Sequence, residues 1–245
     1  MVEPLHQFKI RPFIHLEWGG WDISFTNSSL FMVLATLAII LFFYFSVNPK
    51  SLVPGRLQMV AELAYGFIVD MIRENTGKAG LHYVPYVLSL FLFILMGNML
   101  GMIPYGFTFT SHIIVTFSLA VIVLFSITVV GFVRHKWRFL RLFCPENTPV
   151  FIIPLLVPIE VMSYLTRSVS LSIRLFANMI AGHAMLKLFG GFAIALAGTV
   201  FFPAALASVA MDIAITGFEF LIALLQAYIF TILTCIYLHD ALNLH

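Results

Sequence analysis

Three stretches of this chain, residues 29–47, 83–103 and 112–133, contain no Asp, Glu, Lys or Arg. Each is about long enough to cross the ~30 Å hydrocarbon core of a bilayer as a helix. That uncharged length limits the fold more than any motif does. Composition agrees with it. Of 245 residues, 61% are hydrophobic and 10% are charged, too few charges over too much apolar sequence for a soluble domain of this size. The chain reads as an all-α, polytopic integral membrane protein. The formal net charge of +2 says less than where the charges lie.

The remaining segments organise around these spans. Residues 1–28 are mixed polar and aromatic, with Glu3, Lys9, Arg11, Glu17 and Asp22. They lack the basic-then-apolar order of a cleavable signal peptide and read as an external N-terminal tail. Breaks at Asn48-Pro49 and Pro54-Gly55 follow the first span. In residues 56–74, Gln58, Glu62, Gly66, Asp70 and Arg73 recur at four-then-three spacing. One polar stripe of this kind marks an amphipathic helix, lying at the membrane interface or packed against other helices. Asn98 is the one strongly polar interior residue of the second span and reads as an interhelical hydrogen-bonding group. A short uncharged turn occupies residues 104–111, and Arg134, His135, Lys136, Arg138 and Arg141 form a basic loop after the third span.

The last hundred residues differ. Pro154 and Pro158 precede one long run, Gly190-Gly191 and Pro203 suggest a turn region, and a second long run follows. The two helices are placed at 155–189 and 204–239. Each apolar run would be roughly 45–50 Å long as a helix. Fitting the bilayer would need a tilt of roughly 50°, beyond the usual range of about 0–40°. Two steeply inclined or bent helices packed as a hairpin are expected. With the amphipathic helix not crossing, there are five crossings, within a single membrane domain over residues 29–245. Lys50, Arg56, Arg73, Lys78 and the 134–141 cluster then share the inside face. The N-terminus lies outside and the C-terminus inside.

The chemistry lies in the hairpin. Glu160, Tyr164, Arg167, Leu171, Arg174 and Asn178 alternate at four and three residues and share one helix face, with Ser163 and Ser170 beside it. Asp212, Thr216, Glu219, Ala223 and Gln226 repeat the pattern on the last helix. Hydrocarbon does not solvate such stripes, so they face each other or an aqueous cavity. In an antiparallel pair, one register places Arg174 near Gln226, Asn178 near Ala223 and His183 near Glu219. His183 is nine residues beyond Arg174, about half a turn round an ideal helix. A wrapping neighbour or a bend at Gly182 would have to connect them.

An arginine at bilayer depth costs at least ~2.5 kcal/mol and keeps its proton. It acts as a fixed cation that attracts a mobile carboxylate, makes it release its proton and blocks leakage. A histidine–glutamate pair suits proton passage, because imidazole titrates near neutrality and burial raises a carboxyl toward it. Structural readings stand beside these: an arginine pairing with a glutamate to hold helices together, and a histidine satisfied by packing. Cys144 and Cys235 lie far apart in no metal-ligand spacing. No CxxC, HExxH, Walker loop or GxGxxG occurs. No cofactor, metal or nucleic-acid partner is expected.

The stretches SLSIRLFANMIAGH and ITGFEFLIALLQAYIFTILTCIYL resemble the a subunit of F-type ATP synthases. The likeness is specific at RLFANM-x-AGH and LLQAYIF and extends more weakly, through MGNMLGMIPY, to almost the whole chain. It implies a non-catalytic, proton-conducting stator. Its partners would be a rotating ring of small carboxylate-bearing c subunits, peripheral-stalk b subunits, the rest of the synthase and membrane lipid. Arg174 matches the family's essential arginine, and Asn178, His183, Glu219 and Gln226 match positions assigned to the proton path. Some members exchange the acidic and histidine positions; this chain has His first and Glu second.

The resemblance implies an outside half-channel through Asp212, His183, Glu219 and Asn178, and an inside one near Ser170, Arg167, Ser163 and Glu160, with Arg174 separating them. The wording RLFANMIAGH is similar to alphaproteobacterial or mitochondrial forms, hence a bacterial or a mitochondrial inner membrane. No departure toward a sodium site is visible, so sodium is disfavoured, although ion choice in that family resides largely in the ring. Two other classes fit part of the pattern. A self-contained cation–proton antiporter usually shows internal repeats, and none is evident here. A purely structural membrane subunit leaves the paired stripes without a purpose.

Overall fold

The computed structural model describes residues 9–15, 17–18, 21–22, 24–47, 55–103, 106–136, 139, 152–197 and 202–243. Six helices dominate: α1 (Asn27–Val47), α2 (Arg56–Thr76), α3 (Val84–Gly101), α4 (Ile113–His135), α5 (Ile153–Ala197) and α6 (Phe202–Leu242). Single 3₁₀ segments lie at Lys78–Tyr83 and Phe109–Ser111. All but α2 are long and apolar enough to cross a membrane. The chain is an all-α, multi-pass membrane protein. Arg138, Arg141, Cys144, Pro104, Lys50 and Pro54 lie outside the described residues.

The tail carries short strands ahead of α1. β1 (Pro12–Ile14) pairs with β4 (Phe25–Thr26), and β2 (Glu17–Trp18) pairs with β3 (Trp21–Asp22), both antiparallel. This order leads into the first helix. Thr26 Oγ1 accepts from the Ser29 amide at 3.4 Å, an N-cap contact. Asn27 Oδ1 accepts from the Arg11 amide, and its Nδ2 donates to the Lys9 carbonyl, each at 3.2 Å.

Both long helices exceed their expected bounds. α5 has 45 residues and α6 has 41, ~68 and ~62 Å if straight. The break expected at Gly190-Gly191 is absent, because α5 runs through both glycines to Ala197. A glycine costs a helix about 1 kcal/mol against alanine. Breaking main-chain hydrogen bonds in hydrocarbon costs several, so the helix continues. Pro158 also lies inside α5. Pro154 and Pro203 sit in first turns, where a missing N–H is harmless.

The chain divides into two compact units. The first comprises Met1–Ile39, Phe93–Ile113 and Leu175–Ala227. Its centre is polar: Asn98, fully buried, donates from Nδ2 to the Ala223 carbonyl at 3.2 Å and accepts from Thr110 Oγ1 at 2.9 Å. One amide thus joins α3, the segment before α4, and α6.

The second unit comprises Ile40–Leu92, Ile114–Arg174 and Tyr228–His245. Here α2 buries Ala61, Ile68, Met71, Ile72 and Thr76, one stripe at helical spacing. Phe67 lies 5.8 Å from Phe91 and 5.9 Å from Tyr228 between ring centroids. Thr76 Oγ1 donates to the Cys235 carbonyl at 3.2 Å. The helix is therefore packed along its second half, while Leu57, Val60 and Leu63 at its start stay exposed. It stops at Gly77, whose φ of 71° and ψ of −163° fall in a region that only glycine readily adopts.

The charge asymmetry makes a direct expectation. With Cys144 and Cys235 replaced by alanine, single cysteines at the exposed positions Ile103 and Lys136 are labelled by an impermeant thiol reagent from opposite membrane faces. Labelling of both from one face overturns the five-crossing topology.

Candidate functional site

Within the first unit, α5 and α6 bring together two of the expected residues. His183 Nδ1 lies 3.6 Å from Glu219 Oε1, and both side chains are buried. The approach depends on an absent side chain. A Cβ on Gly182 would stand 2.6 Å from Glu219 Oε1 and 2.9 Å from its Cδ. The half-turn offset of His183 is thus met by space at Gly182, through which the carboxyl reaches the imidazole. Eight residues along, Gly190 faces Asp212 in the same way but less tightly, its Cβ falling 3.6 Å from Oδ2. Two acids of α6 therefore stand opposite two glycines of α5.

Both oxygens of Glu219 are buried without a hydrogen bond among the described residues, as is Oδ1 of Asp212. A buried carboxyl in that state is expensive if charged. On its other side the imidazole is held: His183 Nε2 and Thr108 Oγ1 are 2.9 Å apart. Asn178 is half-buried on α5, and Gln226 is buried on α6.

In the second unit, Ser163, Arg167, Ser170 and Arg174 line one cleft with Leu233 and Tyr237, ≈ 580 Å³ in volume. Glu160 lines a smaller cavity of ≈ 130 Å³ with Tyr164, Arg167, Tyr237 and Asp240. Arg167 belongs to both. Its Nη1 lies 3.9 Å from Asp240 Oδ2, and its Cζ sits 5.9 Å from the centroid of the Tyr237 ring. Tyr164 Oη is 3.0 Å from Thr128 Oγ1. Arg174 is different: its side chain is exposed on α5 and makes no ion pair or hydrogen bond among the described residues.

Three contributors escape the sequence-based expectation. Tyr237 and Asp240 continue the α6 spacing past Gln226 through Phe230 and Leu233, so a longer four-three count reaches them. Thr108 carries no such signal, being an uncharged residue in a turn.

The family described as ATP synthase A chain matches residues 29–239. ATP synthase subunit a of Rhodospirillum rubrum is 51% identical over 245 residues, covering 100% of both chains. The protein of the same name from Parvibaculum lavamentivorans is 50% identical over 99% of this chain and 94% of its own. That from Mesorhizobium japonicum is 48% identical over 99% and 97%. Matches of this extent leave one conclusion: the chain belongs to the ATP synthase A chain family.

Proposed function

We propose that this chain is the proton-conducting, non-catalytic stator subunit of an F-type ATP synthase in a bacterial inner membrane. One observation carries the reading: Arg174, on a helix apolar enough to cross the bilayer, holds a permanent charge with no counter-ion among the described residues. Such a charge calls for a carboxylate supplied by a partner. A ring of small subunits, each with a buried carboxyl, supplies one after another. Facing Arg174, each carboxyl is driven to its charged form and releases its proton. The arginine cannot accept that proton, so none leaks past it.

Protons reach the ring from outside through Asp212, His183, Glu219, Asn178 and Gln226. They leave toward the inside through the cleft of Ser170, Arg167 and Ser163, and past Glu160. The length of α5 and α6 exceeds the bilayer about twofold, which supports helices inclined along a curved ring surface. Peripheral-stalk b subunits would hold the chain still against it. The reading is tested by reconstitution. The chain alone conducts no protons, whereas the intact complex pumps on ATP addition. Transport by the purified chain alone would instead favour an antiporter.

Space at Gly182 has its own test. Gly182→Ala displaces the Glu219 carboxyl and lowers proton conduction in assembled complexes by about tenfold or more, the scale of a mispositioned proton-transfer group. Glu219→Asp in that background withdraws the carboxyl by one methylene and restores part of the rate. Gly190→Ala, whose Cβ makes only ordinary contact, is tolerated. Equal effects at the two glycines would deny the Gly182 contact its role.

A further inference from the structure

We propose that Thr108 is a positioning residue of the proton path, holding the His183 imidazole in working orientation in both of its protonation states. The proposal rests on the reading that His183 passes protons. Its basis is the contact of Thr108 Oγ1 with Nε2 at 2.9 Å, while Nδ1 faces Glu219 at 3.6 Å. Thr108 is buried, as is His183.

A neutral imidazole has one donor and one acceptor nitrogen; the cation has two donors. A hydroxyl can donate to Nε2 when that nitrogen is bare and accept from it when it carries a proton, by rotating about its own bond. No purely accepting or purely apolar group does both. With Nε2 accepting from Thr108, the hydrogen of neutral His183 resides on Nδ1 and points at Glu219. Across the Nδ1–Oε1 contact the cation, with both nitrogens protonated, gives its Nδ1 proton to the Glu219 carboxylate and becomes the neutral tautomer with its hydrogen on Nε2, and in that step Thr108 accepts from Nε2 throughout.

The segment around Thr108 is built to keep it there. Thr108 has an extended backbone (φ −88°, ψ 95°) ahead of the 3₁₀ turn Phe109–Ser111. Ser111 Oγ donates to the Thr108 carbonyl at 2.6 Å. Phe109 is fully buried, 5.4 Å from the Phe93 ring. Thr110 is bound to Asn98. On the side of α3, a methyl group at Gly101 would collide with Thr108 Oγ1. Irregular backbone among membrane helices survives only where protein satisfies it, and here the satisfied segment delivers one hydroxyl to one imidazole.

The test uses the intact synthase in membrane vesicles, with subunit content checked for assembly. Thr108→Val keeps the shape and removes the hydroxyl, and is expected to lower passive and ATP-driven proton conduction about tenfold, the order seen for partners that orient working histidines. Thr108→Ser restores the hydroxyl and retains most of the rate. In the His183→Ala background, Thr108→Val adds no further loss, because Thr108 acts through the imidazole. Gly101→Ala displaces the hydroxyl and behaves like Thr108→Val. Should the valine variant not assemble, Thr108→Ala against Thr108→Ser gives the same contrast. Wild-type conduction in Thr108→Val alongside impaired His183→Ala overturns the proposal and leaves the proton-path reading standing. Equal losses in the serine and valine variants also overturn it. Normal conduction in His183→Ala removes the reading and the proposal together.

Discussion

Replacing Arg174 with alanine abolishes ATP-driven proton pumping while the complex still assembles. The side chain is exposed on α5 and forms no ion pair or hydrogen bond among the described residues, so its removal costs the fold little. In the proposed role, what is lost is the fixed cation that strips each passing carboxyl of its proton. Arg174→Lys rescues poorly. An ammonium is a compact point charge that loses its proton when desolvated, whereas guanidinium stays charged and presents a planar fork. ATP-driven acidification of vesicles is the measurement. Normal pumping by assembled Arg174→Ala complexes would end this role.

The second large effect is at Glu219. Glu219→Gln removes the titrating group while keeping its size, and slows proton conduction by about 10²-fold, the range in which positioned acid–base groups act. His183→Ala slows it less. The two groups behave as one unit, because Nδ1 and Oε1 lie 3.6 Å apart in a buried site. The exchanged double variant, His183→Glu with Glu219→His, therefore conducts better than the product of its two single effects. Coupling of about 0.5–3 kcal/mol between touching residues is the expected surplus. Simple additivity would separate the two residues and leave Asp212, Asn178 and water to carry the path.

Much of the fold and of the candidate site is legible in the amino-acid sequence, for reasons that concern lipid. Hydrocarbon demands long uncharged runs, so α1, α3 and α4 stand out as bare sequence. It also makes every polar residue expensive, so the stripes through Arg174 and Glu219 stand out against it. Rules that hold in water fail at Gly190-Gly191, where a pair of glycines punctuates soluble chains but not a helix denied solvent. Asp240 is easily overlooked because it lies where the apolar run ends, although the spacing carries on through it. Thr108 is invisible for a deeper reason. Its partner lies 75 residues away, and a hydroxyl leaves no mark on charge or hydropathy. The space at Gly182 is equally silent, since a missing side chain has meaning only once its neighbour is known.

The amide of Asn98 has a mechanical meaning. In the proposed role this chain must stand still while a rotor pushes on it, and what yields under load wastes the stroke. A proton crossing 100 mV delivers ~2.3 kcal/mol, more than a typical single hydrogen bond between membrane helices, ~0.6 kcal/mol, can resist. Asn98 grips the main chain of α6 at Ala223, one turn from Glu219, and is itself gripped by Thr110. In that role the load on α6 beside Glu219 is shared with α3 and the segment before α4 through the buried side chains of Asn98 and Thr110. Stiffness at that point comes from three elements sharing one amide.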